Sequence, residues 1–124
     1  MKKNTYLIIF VSLIALGIIL DLVPIPIPMG VDKIYHFLGF FIITISAITT
    51  FYKFFGTKWL NLFFVLTLIW GGLFSGLSED AQKFIPLRNS DPFDWLTNLS
   101  GISLACALFF LLFAVNKRRK KENE

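Results

Sequence analysis

Four long apolar segments, separated by short polar ones, divide the chain. They contain no Asp, Glu, Lys or Arg and run over residues 4–20, 34–52, 59–78 and 95–116. A helix needs about 20 mostly apolar residues to cross a membrane. The pattern therefore predicts an all-α fold, a four-helix transmembrane bundle with spans at about residues 5–22, 34–53, 59–79 and 94–115.

The composition agrees with this pattern. Apolar residues make up 56% of the chain and charged residues 16%, with a mean hydropathy of +0.70, whereas soluble domains are about 25% charged. The four spans use most of the 124 residues. We therefore expect one membrane domain over residues 1–124, with residues 116–124 as a basic cytoplasmic tail.

The first apolar segment has two interpretations. Lys2 and Lys3 precede it, as in a secretory signal peptide. However, no cleavage pattern of small residues closes the segment, and Asp21 follows it directly. We expect it to be retained as a true span.

The positions of Lys and Arg predict the orientation, because cytoplasmic loops carry an excess of both residues. With both termini cytoplasmic, nine of these residues lie inside and three outside. The inner nine are Lys2, Lys3, Lys53, Lys58, Lys117, Arg118, Arg119, Lys120 and Lys121, and the outer three are Lys33, Lys83 and Arg88. The sequence thus predicts a multi-pass protein of the cell membrane with both termini in the cytoplasm.

Two loops set the positions of the second and third spans. Pro24, Pro26 and Pro28 forbid a helix and favour an extended segment that leads into the second span. The loop over residues 53–58 is short, and Gly56 is a helix stop. Spans two and three should therefore be antiparallel neighbours.

A polar face follows the small residues of the third span. Gly72 and Gly76 have the spacing of a close helix contact. Ser75, Glu79 and Gln82 continue one helical face by steps of four and three residues. A packing surface therefore leads directly into a group of polar side chains.

The start of the fourth span has both structural and functional interpretations. Asp91 before Pro92 resembles an N-cap, and Asp94 could complete the cap. Capping does not explain Asn98, which lies within the apolar run, where an amide needs a partner. It forms a stripe with Asp94, Gly101 and Ala105, so either a bond to a neighbouring helix or a functional site is expected.

Two polar blocks resemble the VanZ-like family of small bacterial membrane proteins, in the expected order and spacing. They are Asp32-Lys33-x-x-His36-Phe37-x-x-Phe40 and Glu79-x-x-Gln82-x5-Arg88-x-x-Asp91-x-x-Asp94-x3-Asn98-x-x-Gly101. The resemblance covers residues 32–112, and Asp80 departs from it, since an apolar residue is usual there. It implies a role at the cell envelope, because the family takes its name from a protein associated with teicoplanin resistance. It also implies functional positions at Asp32, His36, Glu79, Gln82, Arg88, Asp91, Asp94 and Asn98.

Binding of an anionic envelope lipid or a peptidoglycan-related ligand is the first functional hypothesis. The site would face outward and comprise Asp32, Lys33, His36, Glu79, Gln82, Arg88, Asp91, Asp94 and Asn98. Arg88 can hold a phosphate or carboxylate in a bidentate fork, and Lys33 and Lys83 add positive charge. Gln82 and Asn98 would orient the ligand by hydrogen bonds.

Two further functional classes stay open. A membrane enzyme would use His36 as general acid or base, and Glu79, Asp91 or Asp94 would be its partner or ligands of a divalent cation. The candidate catalytic residues are His36, Glu79 and Asp94. A small lipid or solute transporter would need to form a homo-oligomer to enclose a path, and no span has a charged residue at its middle. Since no nucleophile or phosphatase motif is present, an enzyme is less favoured than a binding protein.

No cofactor is expected, and no metal site either, since the carboxylate spacing matches no specific loop. The expected partners are membrane lipids, with a lipid-linked envelope precursor, a glycopeptide or a second copy of the chain as further candidates. Nucleic-acid binding is not indicated.

Overall fold

Four α-helices account for almost all of the computed structural model, which describes residues 1–88 and 91–122. They are α1 (Lys3–Leu22), α2 (Met29–Phe55), α3 (Leu60–Gln82) and α4 (Pro92–Glu122). No strand occurs among these residues. Each helix is long and apolar enough to cross a membrane, so the all-α, four-helix prediction is confirmed.

Two helix ends lie where local sequence signals place them. The proline-rich loop stops at Pro28, and α2 begins at the next residue. Gly56 ends α2 with φ of 69°, and its N–H donates to Tyr52 O over 2.9 Å. A positive φ favours glycine because a side chain with a Cβ would be crowded by its own backbone in this conformation.

All four helices extend beyond the predicted spans, and α2 and α4 do so by five residues or more at one end. α2 begins five residues before the predicted span at 34, so Asp32 and Lys33 belong to its first turns. α4 continues to Glu122, so the predicted basic tail is largely a helical extension, and its last two residues lie outside the described part. Charged residues are compatible with helix ends that emerge from the lipid.

The helices run up and down, so α2 and α4 are parallel and begin at the same end of the bundle. We call this end the site end. α2 contacts all three other helices and packs most extensively against α4, whereas α1 contacts α2 and α3. The apolar core lies between α2, α3 and α4, around Ile48, Leu60, Ile102 and Cys106.

Glycine residues bring α4 close to its neighbours. A Cβ added to Gly101 would lie 2.5 Å from the carbonyl oxygen of Phe37 on α2. A Cβ on Gly71 of α3 would lie 2.9 Å from Ile102 of α4. Small residues of α3 and α4 therefore mark the contacts between helices.

The distribution of polarity is that of a protein surrounded by lipid. No residue of α1 is buried, although its sequence is almost entirely apolar. Eight polar or charged residues are buried instead, namely His36, Thr44, Thr50, Ser75, Glu79, Gln82, Asp94 and Asn98. Apolar side chains outside and polar side chains inside are the arrangement that a lipid environment favours.

Candidate functional site

Polar side chains from all four helices and from the loop before α4 meet at the site end. We call this group the polar cluster. Its members are Asp21, Asp32, Lys33, His36, Ser78, Glu79, Gln82, Arg88, Asp91, Asp94 and Asn98. Because α2 and α4 are parallel, their first turns lie side by side and bring together residues about 60 positions apart. All nine residues predicted for the ligand site are in the cluster.

Lys33 joins the start of α2 to the start of α4. Its Nζ donates to Asp91 Oδ2 over 2.7 Å and to Asp94 Oδ1 over 2.8 Å. The hydrogen bond from Lys33, followed by one from the N–H of Phe93, lowers the pKa of Asp91 below its ordinary value. Asp91 is thus both the predicted N-cap and an ion-pair partner, whereas Asp94 binds Lys33 instead of completing the cap.

His36, Asn98 and Glu79 form a buried chain across three helices. The side-chain nitrogen of Asn98 donates to Glu79 Oε1 over 3.3 Å, so the carbonyl oxygen of Asn98 faces His36. His36 Nδ1 lies 3.1 Å from that oxygen and 3.5 Å from Glu79 Oε1. Both neighbours accept hydrogen bonds, so these contacts fit the tautomer of His36 that carries its proton on Nδ1.

The opposite nitrogen of His36 faces Asp32. Nε2 lies 3.6 Å from Asp32 Oδ1, and neither of these buried atoms has a hydrogen-bond partner in the described part of the chain. Arg88 approaches the same oxygen with Nη1 at 3.8 Å, too far for a hydrogen bond. The loop that delivers Arg88 includes Leu87, whose φ of 67° is uncommon for a residue with a Cβ.

The sequence did not identify the contribution of α1. Ser78 donates a hydrogen bond to Asp21 Oδ2, and Gln82 Nε2 lies 3.5 Å from Asp21 Oδ1. The one sign of this contribution in the sequence was Asp21, a carboxylate directly after the first apolar segment. Its partners follow about 60 residues later, so no local pattern connects them.

Lys83, proposed as an additional positive charge, lies outside the cluster. It pairs with Asp80 on the exposed side of α3, and both side chains are more than half exposed. Arg88 and Lys33 are therefore the cations in the described part of the cluster. Lys33 is held by two carboxylates, which leaves Arg88 as the predicted anion contact without a carboxylate in hydrogen-bond range.

Carboxylates outnumber cations in the cluster. With all carboxylates ionised and His36 neutral, Asp21, Asp32, Glu79, Asp91 and Asp94 contribute five negative charges. Lys33 and Arg88 contribute two positive ones, which leaves a net charge of −3. The amino termini of α2 and α4 point into the site end and offset part of this charge. The cluster as a whole still attracts positive charge.

An apolar groove between α1 and α3 leads to the cluster. It is lined by Ile18, Asp21, Leu22, Phe74, Leu77, Ser78, Ala81 and Gln82. Asp21, Ser78 and Gln82 belong to both the groove and the cluster. Apolar side chains line most of the groove, and it ends at polar side chains.

The fold and the cluster define a class: a helical protein with four helices able to span a membrane and a buried polar site at one end. The chain is 37% identical to the uncharacterized protein C11E3.10 of the fission yeast Schizosaccharomyces pombe over 119 residues, which cover 94% of this chain and 68% of the yeast protein. The chain belongs to the same family as this protein.

The name of the yeast protein states no activity, so the relationship assigns none to this chain. No family model matches the chain, and no solved structure matches it. The resemblance to the VanZ-like family stays a prediction. The relative comes from a yeast, so the expected bacterial origin of the chain is not supported.

Proposed function

We propose that this protein binds the phosphate-bearing headgroup of a membrane lipid at the polar cluster, with an acyl chain in the groove between α1 and α3. The observation that carries the proposal is the position of Gln82. Its side chain is 1% exposed, lies in the cluster, and also lines the groove. A lipid has the same arrangement of an apolar chain joined to a polar headgroup.

Arg88 is the contact that we assign to the headgroup phosphate. A guanidinium can form two parallel hydrogen bonds with phosphate oxygens. Its Nη1 is 3.8 Å from Asp32, so a phosphate would not need to break a carboxylate hydrogen bond there. Lys33, in contrast, would have to give up Asp91 or Asp94.

The family relationship favours a ligand that yeast membranes also contain. A glycerophospholipid meets this condition better than a peptidoglycan precursor or a glycopeptide does. With both termini cytoplasmic, as the distribution of Lys and Arg predicts, the site would face the outer side of the membrane.

A membrane enzyme is the second candidate, and the surroundings of His36 favour it. Carboxylates flank both ring nitrogens, with Glu79 3.5 Å from Nδ1 and Asp32 3.6 Å from Nε2. Such a histidine could exchange protons with a bound headgroup. Release of headgroup or phosphate from added lipid, lost in His36→Gln, would establish this function.

Native mass spectrometry of the full chain in mild detergent tests lipid binding. We expect one phospholipid to be retained by the wild type and lost in Arg88→Gln, which removes the charge that meets the phosphate. Lys83→Gln is the matched control, because this exposed cation lies outside the cluster. Retention by Arg88→Gln at the wild-type level would contradict the assignment of Arg88.

A second pair of variants tests the groove. Ala81→Trp fills the groove from an exposed position on α3, and Ala107→Trp adds the same side chain to an exposed position on α4. We expect loss of bound lipid in the first variant only. If neither the wild type nor any variant retains a phospholipid, the proposed function is wrong.

A further inference from the structure

We propose that Asp32, His36 and Asp94 form a binding site for one divalent transition-metal ion, with Zn²⁺ or Mn²⁺ as the class of cation. One ligand atom from each residue lies within 4.8 Å of the other two. Around an ion with ligand bonds of about 2.0 to 2.2 Å, ligand atoms stand roughly 3 to 3.5 Å apart. Small side-chain movements would bring the three ligand atoms from within 4.8 Å of one another to this separation.

The hydrogen bonds of His36 point to a cation at this place. In the tautomer that donates from Nδ1 to Asn98, Nε2 carries a lone pair. That lone pair faces Asp32 Oδ1 at 3.6 Å, and neither atom has a hydrogen-bond partner among residues 1–88 and 91–122. The His36 side chain is only 4% exposed, so bulk water does not satisfy it. Two buried acceptors facing each other repel unless a positive ion lies between them.

The surroundings match those of metal sites in other proteins. A ligating histidine commonly donates its other N–H to an oxygen acceptor, which fixes the ring, and Asn98 provides this acceptor. Lys33 holds Asp94 through Oδ1. A divalent ion would reduce the net charge of the cluster from −3 to −1, counted over the same residues as above.

The ligand types select the class of cation. One imidazole with carboxylates suits Zn²⁺ and Mn²⁺, whereas Ca²⁺ and Mg²⁺ prefer sites made of oxygen alone. The sequence predicted no metal site, because no loop has the spacing of one. The three residues come from two separate helices and meet only because α2 and α4 are parallel neighbours.

The competing explanation is a doubly protonated His36 that pairs with Asp32 and Glu79, with Arg88 also beside Asp32. Such a histidine would hold no metal. The inference goes beyond lipid binding, since an ion can occupy the site whether or not a lipid does.

The test is metal binding by the full chain, purified without a histidine tag and stripped with a chelator. After dialysis against Zn²⁺ or Mn²⁺, elemental analysis should find one ion per chain. Isothermal titration should show affinity at least about tenfold lower in Asp32→Asn and His36→Gln, the scale on which perturbed metal sites lose affinity. Asp80→Asn, which removes an exposed carboxylate at the end of α3, is the control and should bind like the wild type.

X-ray absorption of the Zn²⁺-loaded wild type gives a result that does not depend on the folding of variants. We expect nitrogen and oxygen ligands with the scattering pattern of one imidazole and no sulfur, which separates this site from Cys106. Absence of stoichiometric metal in the wild type would overturn the proposal, as would equal affinity in all variants. Lipid content, measured on the same samples, separates failure of this inference from failure of lipid binding.

Discussion

Gly101 packs directly against the backbone of Phe37, so that a Cβ at residue 101 would meet the Phe37 carbonyl oxygen at 2.5 Å and the Phe41 nitrogen at 3.2 Å. This contact joins α4 to α2 near His36 and Asn98, because Phe37 directly follows His36 and Gly101 lies about one turn after Asn98. Backbone atoms cannot move aside as a flexible side chain can. The close approach therefore sets the distance between the two helices that carry most of the polar cluster.

We predict that Gly101→Ala destabilises the protein by about 1 to 3 kcal/mol, the usual cost of overpacking, despite the better helix propensity of alanine. Unfolding by SDS in mixed micelles measures the change. Gly39→Ala is the matched control, because nothing lies within 4 Å of a Cβ at this position of α2. Equal stability of the two variants would show that α2 and α4 are further apart than described.

Replacement of Asn98 by leucine should destabilise the protein by about 1 to 3 kcal/mol, because His36 Nδ1 and Glu79 Oε1 lose their amide partner in a buried place. The same SDS unfolding experiment applies. Ser100→Ala removes a hydroxyl that bonds to Leu96 O on the exposed side of α4, and we expect a change below about 0.5 kcal/mol. A similarly small effect of Asn98→Leu would argue against the His36–Asn98–Glu79 chain.

Lys33→Met should lower the unfolding midpoint more than Lys83→Met does. The first change leaves Asp94, whose side chain is 3% exposed, without its cation, whereas the second removes an exposed pair. The double variant Lys33→Met/Asp94→Asn should recover part of the loss, because no buried charge is then left unpaired. Strictly additive effects of the two substitutions would contradict a direct Lys33–Asp94 interaction.

The orientation can be tested by cysteine labelling in a Cys106→Ala background. If the site end faces outward, Phe84→Cys should react with a membrane-impermeant maleimide in intact cells. Lys58→Cys, in the loop at the opposite end, should react only after permeabilisation. Both positions are exposed, so access depends on the side of the membrane. Labelling in the reverse order would place the polar cluster on the cytoplasmic side.

The sequence by itself determined the four helices and most of their ends. Apolar segments of membrane-spanning length leave a backbone in lipid little choice except the helix. Pro28, Gly56 and Asp91 act on their own turns, so their effects can be predicted from their immediate neighbours. The buried face through Ser75, Glu79 and Gln82 follows equally from helical periodicity.

Only the tertiary structure decided which polar groups meet. The sequence grouped the predicted site residues at one end of the bundle. It did not indicate that Lys33 pairs with Asp91 and Asp94. Nor did it indicate that Asp21 belongs to the cluster, or that His36 Nε2 faces Asp32 beyond hydrogen-bond distance. These partners depend on which helices are neighbours and on how closely they approach. Helix packing sets both, through contacts such as Gly101 with Phe37, between residues far apart along the chain.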